Sequence, residues 1–153
     1  MADVPEEMKK HGRDEDVHFA DDEHLFRRFP PEFCEGQRIV IEALELPDMS
    51  VNRAKYGPPN WLLLHEDFGG WGVFGFEVGH IPAEFVEDGV TKYTFGPKHR
   101  PLKNNYPHSE VRAYRDGEHI DAKKSELLLD PEAHQRWRQR LAWKCKIVIQ
   151  PSA

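Results

Sequence analysis

The densest run of chemically useful side chains is Asn104-Asn105-Tyr106-Pro107-His108-Ser109-Glu110-Val111-Arg112, just after Lys98-His99-Arg100. On a strand, successive side chains point to opposite faces. His108, Glu110 and Arg112 then line one face, while Ser109, Val111 and Ala113 turn towards a core. An imidazole exchanges protons near neutral pH. A neighbouring carboxylate orients it or acts as a base. A guanidinium grips a phosphate or carboxylate through two parallel hydrogen bonds. Arg27-Arg28 is a second set, since adjacent arginines at a strand end can clamp phosphate. Ser50-Val51-Asn52-Arg53 is a third. Together these sets are suited to phosphate-ester or nucleotide chemistry. The candidate catalytic residues are Glu110, His108, Arg28 and Ser50. The candidate binding residues are Arg112, Arg53, Tyr106, Arg27 and His99, with Tyr106 as a wall. A plainer account is a solvated strand face with an ordinary Glu110–Arg112 ion pair.

The chain order Arg28, Ser50, Glu110 resembles the arginine–serine–glutamate class of ADP-ribosyltransferases. That resemblance implies NAD as cofactor, gripped by Arg28, with Ser50 supporting the site and Glu110 on the nicotinamide ribose. Two departures stand against it. Ser50 lies in Met49-Ser50-Val51 rather than a Ser-Thr-Ser run, and Glu110 lacks the Glu/Gln-x-Glu pair. Pro47-Asp48 with Glu110-Val111-Arg112 is similar to PD-(D/E)xK nucleases, with Arg in place of Lys. The wider layout, from Phe26-Arg27-Arg28-Phe29 to Pro107-His108-Ser109-Glu110-Val111, looks similar to small bacterial proteins of unassigned function. That likeness spans residues 25 to about 140 and implies no activity.

The elements that must hold these residues are mostly short strands. His24–Pro30 alternates Leu25, Arg27 and Phe29 against Phe26 and Arg28. Arg38–Leu46 is β-branched at its start and reads as a second strand. Met49–Gly57 reads as either strand or loop. Pro58-Pro59 opens a short helix over Asn60–Asp67, ended by Gly69-Gly70. Trp71–Ile81 is a strand whose glycines mark close approach of another group. Thr91–Phe95 is another strand, and Gly96–Pro107 a long loop of the kind that often carries function. Asp116-Gly117 fits a type I′ turn joining Ser109–Arg115 to Glu118–Ala122. Asp130 is the N-cap and Pro131 the first residue of a helix. Ala133, Trp137 and Leu141 recur at helical spacing as its buried stripe. Cys145–Gln150 closes the chain as a strand. The sum is one α+β domain: a curved, mostly antiparallel sheet, with a C-terminal helix and a short central helix on one face.

Composition sets the limits. The chain has 153 residues, 31% charged, with a formal net charge of -6. Nine acids and three bases in residues 1–24 account for that whole charge. The body, residues 25–153, is balanced. Residues 1–24 are therefore expected to be a flexible acidic arm. An acidic balance argues against coating extended DNA, which needs a basic face. Arg136–Lys146 carries five bases and no acid; it reads as a solvated helix face or a patch for phosphate. No apolar run is long enough to span a membrane as a helix. The start has no apolar signal-peptide centre. Two cysteines build no disulfide framework, so a reducing cytoplasm is expected. No metal is expected: of nine histidines, only His108 pairs with a same-face carboxylate, and two ligands do not make a site. The leading functional expectation is a soluble binding or accessory module for a protein or nucleotide partner, with no resident cofactor. The alternative is a nucleotide- or phosphate-directed enzyme.

Overall fold

Alternating apolar residues on short strands set the architecture, because each strand must bury one face. The structure, a computed structural model, describes residues 4–121 and 130–152. The strands are β1 (His24–Phe29), β2 (Cys34–Glu35), β3 (Arg38–Ile39), β4 (Asp48–Arg53), β5 (Gly72–Glu77), β6 (Glu84–Glu87), β7 (Val90–His99), β8 (His108–Arg115), β9 (Glu118–His119) and β10 (Lys146–Ile149). One helix, α1 (Pro131–Ala142), precedes β10. A curled antiparallel sheet runs β10-β5-β1-β4-β8-β7-β6, with β9 paired to β8; β2 and β3 form a separate pair. Its inner face buries Leu25, Phe29, Met49, Val51, Phe74, Phe76, Phe95 and Val111. Ala133, Trp137 and Leu141 of α1 complete that cluster. Asp130 caps α1 by accepting from the Ala133 N–H. The Trp137 indole donates to the Pro82 carbonyl at 3.2 Å, so this large ring is buried without losing a hydrogen bond.

Several elements match the expected α+β plan. Asp116 and Gly117 both have positive φ, at 52° and 80°, as a type I′ turn requires. Of the second hairpin strand only Glu118–His119 is paired, and Ala122 lies outside the described residues. Gly72 is where close approach matters: a Cβ there would sit 2.7 Å from the Ile149 carbonyl and the Phe29 ring.

Other elements differ. Only Arg38–Ile39 of the expected Arg38–Leu46 strand is paired, and a turn follows at Ile41–Ala43. Side chains take the carbonyls that a neighbouring strand would have used. Arg27 Nε donates to Ala43 O, and Arg138 Nε donates to Ile41 O and Leu44 O. The central helix is two 3-10 turns, Pro59–Leu63 and Glu66–Phe68, since so short a helix gains few backbone bonds for its nucleation. The long loop shrinks, because β7 continues to His99. Beyond it, Leu102 and Asn105 exchange backbone hydrogen bonds and tighten the turn.

The expected flexible arm is instead packed on the body. Arg53, at the end of β4, is fully buried. Its guanidinium donates to both Glu23 carboxylate oxygens (2.6 and 2.7 Å) and to the Asp16 and His18 carbonyls (both 2.6 Å). Phe19 lies over it at 3.8 Å. The Asp16 N–H donates to His99 Nδ1 at 2.8 Å, so the other ring nitrogen carries the proton and donates to Tyr106 O at 2.7 Å. Tyr106 Oη donates to Asp14 O. Composition suggested disorder because few arm residues are apolar. The arm is ordered instead by polar groups of the body, Arg53, His99 and Tyr106, which bond its backbone and its Glu23 carboxylate. Residues 1–3 lie outside the described set.

Two predictions follow from this clasp. Replacing Arg53 with methionine strands the Glu23 carboxylate, whose side chain is 8% exposed. Loss of one partner of such a pair costs about 3–5 kcal/mol, which urea denaturation should report; a loss below about 1 kcal/mol would show that the pair contributes no more than a surface one. For pH, burial holds His99 below its ordinary value, helped by the Arg53 charge and opposed by the Tyr106 carbonyl. The unfolded chain therefore takes up this proton first. The contribution is complete above about pH 6.5 and is lost as pH falls through the lower folded value. The melting temperature should drop between about pH 7.5 and about pH 5.5, and by less in His99→Gln.

Candidate functional site

A sheet normally offers no cleft, but here two neighbouring strands part. β1 pairs with β5 along six residues, yet with β4 only at Leu25↔Arg53 and Phe26↔Asn52. Beyond Phe26, β4 follows β8 instead, paired from Asp48↔Arg112 to Asn52↔His108. Arg27 holds the wedge open. Its Nη1 donates to Ser50 O at 2.9 Å, and its Nη2 lies 3.3 Å from the exposed Glu45 carboxylate.

Arg28 stands where three hollows of this wedge meet. The Pro59–Phe68 segment forms one wall. The half-buried guanidinium lies over the Phe68 ring, with its central carbon 3.7 Å from the ring centre. Among the described residues its one side-chain hydrogen bond is a long one, 3.4 Å to Leu62 O. Among the described residues no carboxylate comes within ion-pair distance of it. Burial lowers its pKa from the ordinary value, the mark of a cation short of solvent.

The central hollow encloses about 300 Å3 and is polar, with Arg27, Arg28, Ser50, Asn52, Asn105 and His108 in its lining and no acid. Asn52 and Asn105 pair side chain to side chain, at 3.2 and 2.8 Å. That exchange satisfies both amides and fixes the floor. The adjoining hollow is apolar, walled by Met8, Trp61, Leu62, Phe68 and Leu102 with Asn104 and Asn105 at its edge. The N-terminal segment thus supplies part of the wall.

Within the polar hollow, His108 Nδ1 is 2.8 Å from Arg100 O. A carbonyl only accepts, so Nδ1 is the protonated nitrogen and Nε2 carries the lone pair. That lone pair faces Ser50 Oγ at 3.4 Å. Ser50 is exposed to the hollow and has no other side-chain hydrogen bond among the described residues.

The structure thus brings together Arg27, Arg28, Ser50 and His108. Glu110 is the cross-strand neighbour of Ser50, but its carboxylate is held by Arg112, with Nε and Nη2 both at 2.9 Å. Asp48 lies on the other side of Arg112 at 3.8 Å and accepts from His119 at 2.7 Å. These four groups form a charge row beside the wedge, and none of them lines it. Arg53, His99 and Tyr106 serve the N-terminal clasp, with their polar atoms already partnered. Of the basic run on α1, Arg138 is tied to backbone carbonyls, as given above. Cys145 is half-buried, and loss of solvent raises its thiol above the ordinary range, which disfavours the reactive thiolate. No group of three metal-ligating side chains occurs among the described residues.

Sequence reading missed Phe68, Trp61 and Leu62 as walls and the Asn52–Asn105 pair as floor. Asn105 carried a usable signal, since it follows a proline-rich turn next to His108. The role of the Arg100 carbonyl had none, because backbone contacts leave no trace in residue type. The chain matches no known family model, no curated protein and no solved structure.

Proposed function

We propose that the protein binds a phosphate-bearing small molecule, of the nucleotide class, in the wedge between β1 and β4. The observation that carries this reading is Arg28: a half-buried guanidinium over the Phe68 ring, with no carboxylate partner among the described residues. An anion in the polar hollow supplies the missing counter-charge. The Ser50 hydroxyl lies in the same lining, and no acid in that lining repels the anion. The adjoining hollow, with Trp61 and Phe68 as flat walls and two asparagine edges, suits an aromatic base next to the phosphate. A hollow of this size takes a small ligand more readily than a protein segment. The ADP-ribosyltransferase reading loses support, since Glu110 is engaged by Arg112 and stands outside the lining.

Calorimetric titration with ADP tests this. Wild type should bind, with affinity falling as salt rises. Arg28→Leu should weaken binding at least tenfold, about 1.4 kcal/mol, with the fold retained by circular dichroism. Adenosine should bind more weakly than ADP by a similar factor. Equal affinity of wild type and Arg28→Leu, or no binding of ADP or pyrophosphate, would falsify the assignment.

A further inference from the structure

Ser50 and His108 have the arrangement of a nucleophile and its base. His108 Nε2 presents its lone pair to Ser50 Oγ at 3.4 Å, while Nδ1–H is anchored on Arg100 O at 2.8 Å. This is the order nucleophile, base, orienting acceptor, with a backbone carbonyl as the third member. The spacing is long for a hydrogen bond, as in catalytic pairs before substrate closes them. Both residues sit on paired strands rather than loops, which holds the geometry. The backbone of His108 is fixed as well: its N–H donates to Asn105 O, and its carbonyl accepts from Arg100 N–H. Arg27 fixes Ser50 through its carbonyl.

The surroundings select the reaction. Two guanidiniums line the same hollow and no carboxylate does. Such a site stabilises negative charge developing on phosphoryl oxygens. We infer that the Ser50–His108 pair makes this cleft a phosphodiesterase that works through a covalent phosphoserine ester at Ser50. This rests on the reading that the wedge takes a phosphate. Ser50 Oγ attacks phosphorus and its proton passes to His108 Nε2. The bond from phosphorus to the leaving alcohol oxygen breaks, and that oxygen takes the proton from Nε2. A water then attacks the same phosphorus and gives its proton to Nε2. The phosphorus–Oγ bond breaks, and the proton returns to Ser50 Oγ. The products are a phosphomonoester and an alcohol, and no redox partner is needed. The Arg28 charge answers the non-bridging oxygens throughout.

The test uses bis(para-nitrophenyl) phosphate with the full chain. Wild type should release para-nitrophenolate and carry, on rapid acid quench, a mass adduct that peptide mapping places on Ser50. Ser50→Ala should lose both. His108→Gln should slow release about a hundredfold, the usual contribution of a general base. Ser50→Ala should keep the wild-type circular dichroism spectrum and melting temperature, which separates loss of chemistry from loss of the fold. No adduct and no release from wild type that binds ADP overturns the covalent mechanism and leaves the binding reading standing. Release that survives in Ser50→Ala overturns it as well. Wild type that neither binds ADP nor releases nitrophenolate overturns both.

Discussion

One buried cation organises this protein. The Arg53 guanidinium has no access to water, so its charge must be answered inside the fold. Nothing on β4 or β8 answers it. The acidic N-terminal segment does, through Glu23 and two carbonyls. Once that segment is seated, its backbone reaches His99 and Tyr106. The Met8 carbonyl then accepts from the Tyr106 N–H, and the Lys10 N–H donates to the Lys103 carbonyl. Those contacts set the turn that carries Asn105 and leads into His108. A line of ordinary hydrogen bonds thus connects a charge at one end of β4 to the base at the cleft.

The cleft depends on a second constraint. Strand β1 cannot stay with both neighbours as the sheet curls. It keeps β5 and leaves β4 after two residue pairs. The gap exposes backbone carbonyls, and unpaired carbonyls inside a protein are costly. Arg27 answers them from its own strand. The adjacent Arg28 points to the other face and meets an aromatic ring rather than an acid. Neighbouring arginines therefore have opposite fates: one is structural, with donors on Ala43 and Ser50, while the other keeps capacity for a ligand.

The charges are sorted in the same way. Three acids of the N-terminal segment, Glu15, Asp16 and Glu23, face cations of the body. Asp16 meets Tyr56 and Lys55, which hold its carboxyl well below the usual range. Glu15 meets Lys98. Asp48 and Glu110 flank Arg112. The lining of the polar hollow holds no acid, and its Arg28 has no carboxylate partner among the described residues.

The sequence by itself determined the periodicities. Alternation on β1, β5 and β8, the Asp116-Gly117 hairpin, and the Asp130-Pro131 start of α1 are local properties, legible because period, turn chemistry and capping act within a few residues, whereas Met49–Gly57 fitted strand and loop alike. It also marked the residue types at the site: Arg28, Ser50 and His108 were candidates from chemistry alone. Partnership was decided only by tertiary structure. Arg28 and Arg53 are the same residue in the sequence; one is locked on Glu23 and the other is not, because of strands brought in from far along the chain. His99 and His108 are likewise both held by backbone carbonyls, but the second nitrogen of one meets the Asp16 amide and that of the other a serine hydroxyl. The length of the Arg38–Leu46 strand and the order of the N-terminal segment failed to read for the same reason. Both depend on which distant group completes a buried hydrogen bond, and that is settled by the packed fold rather than by local preference.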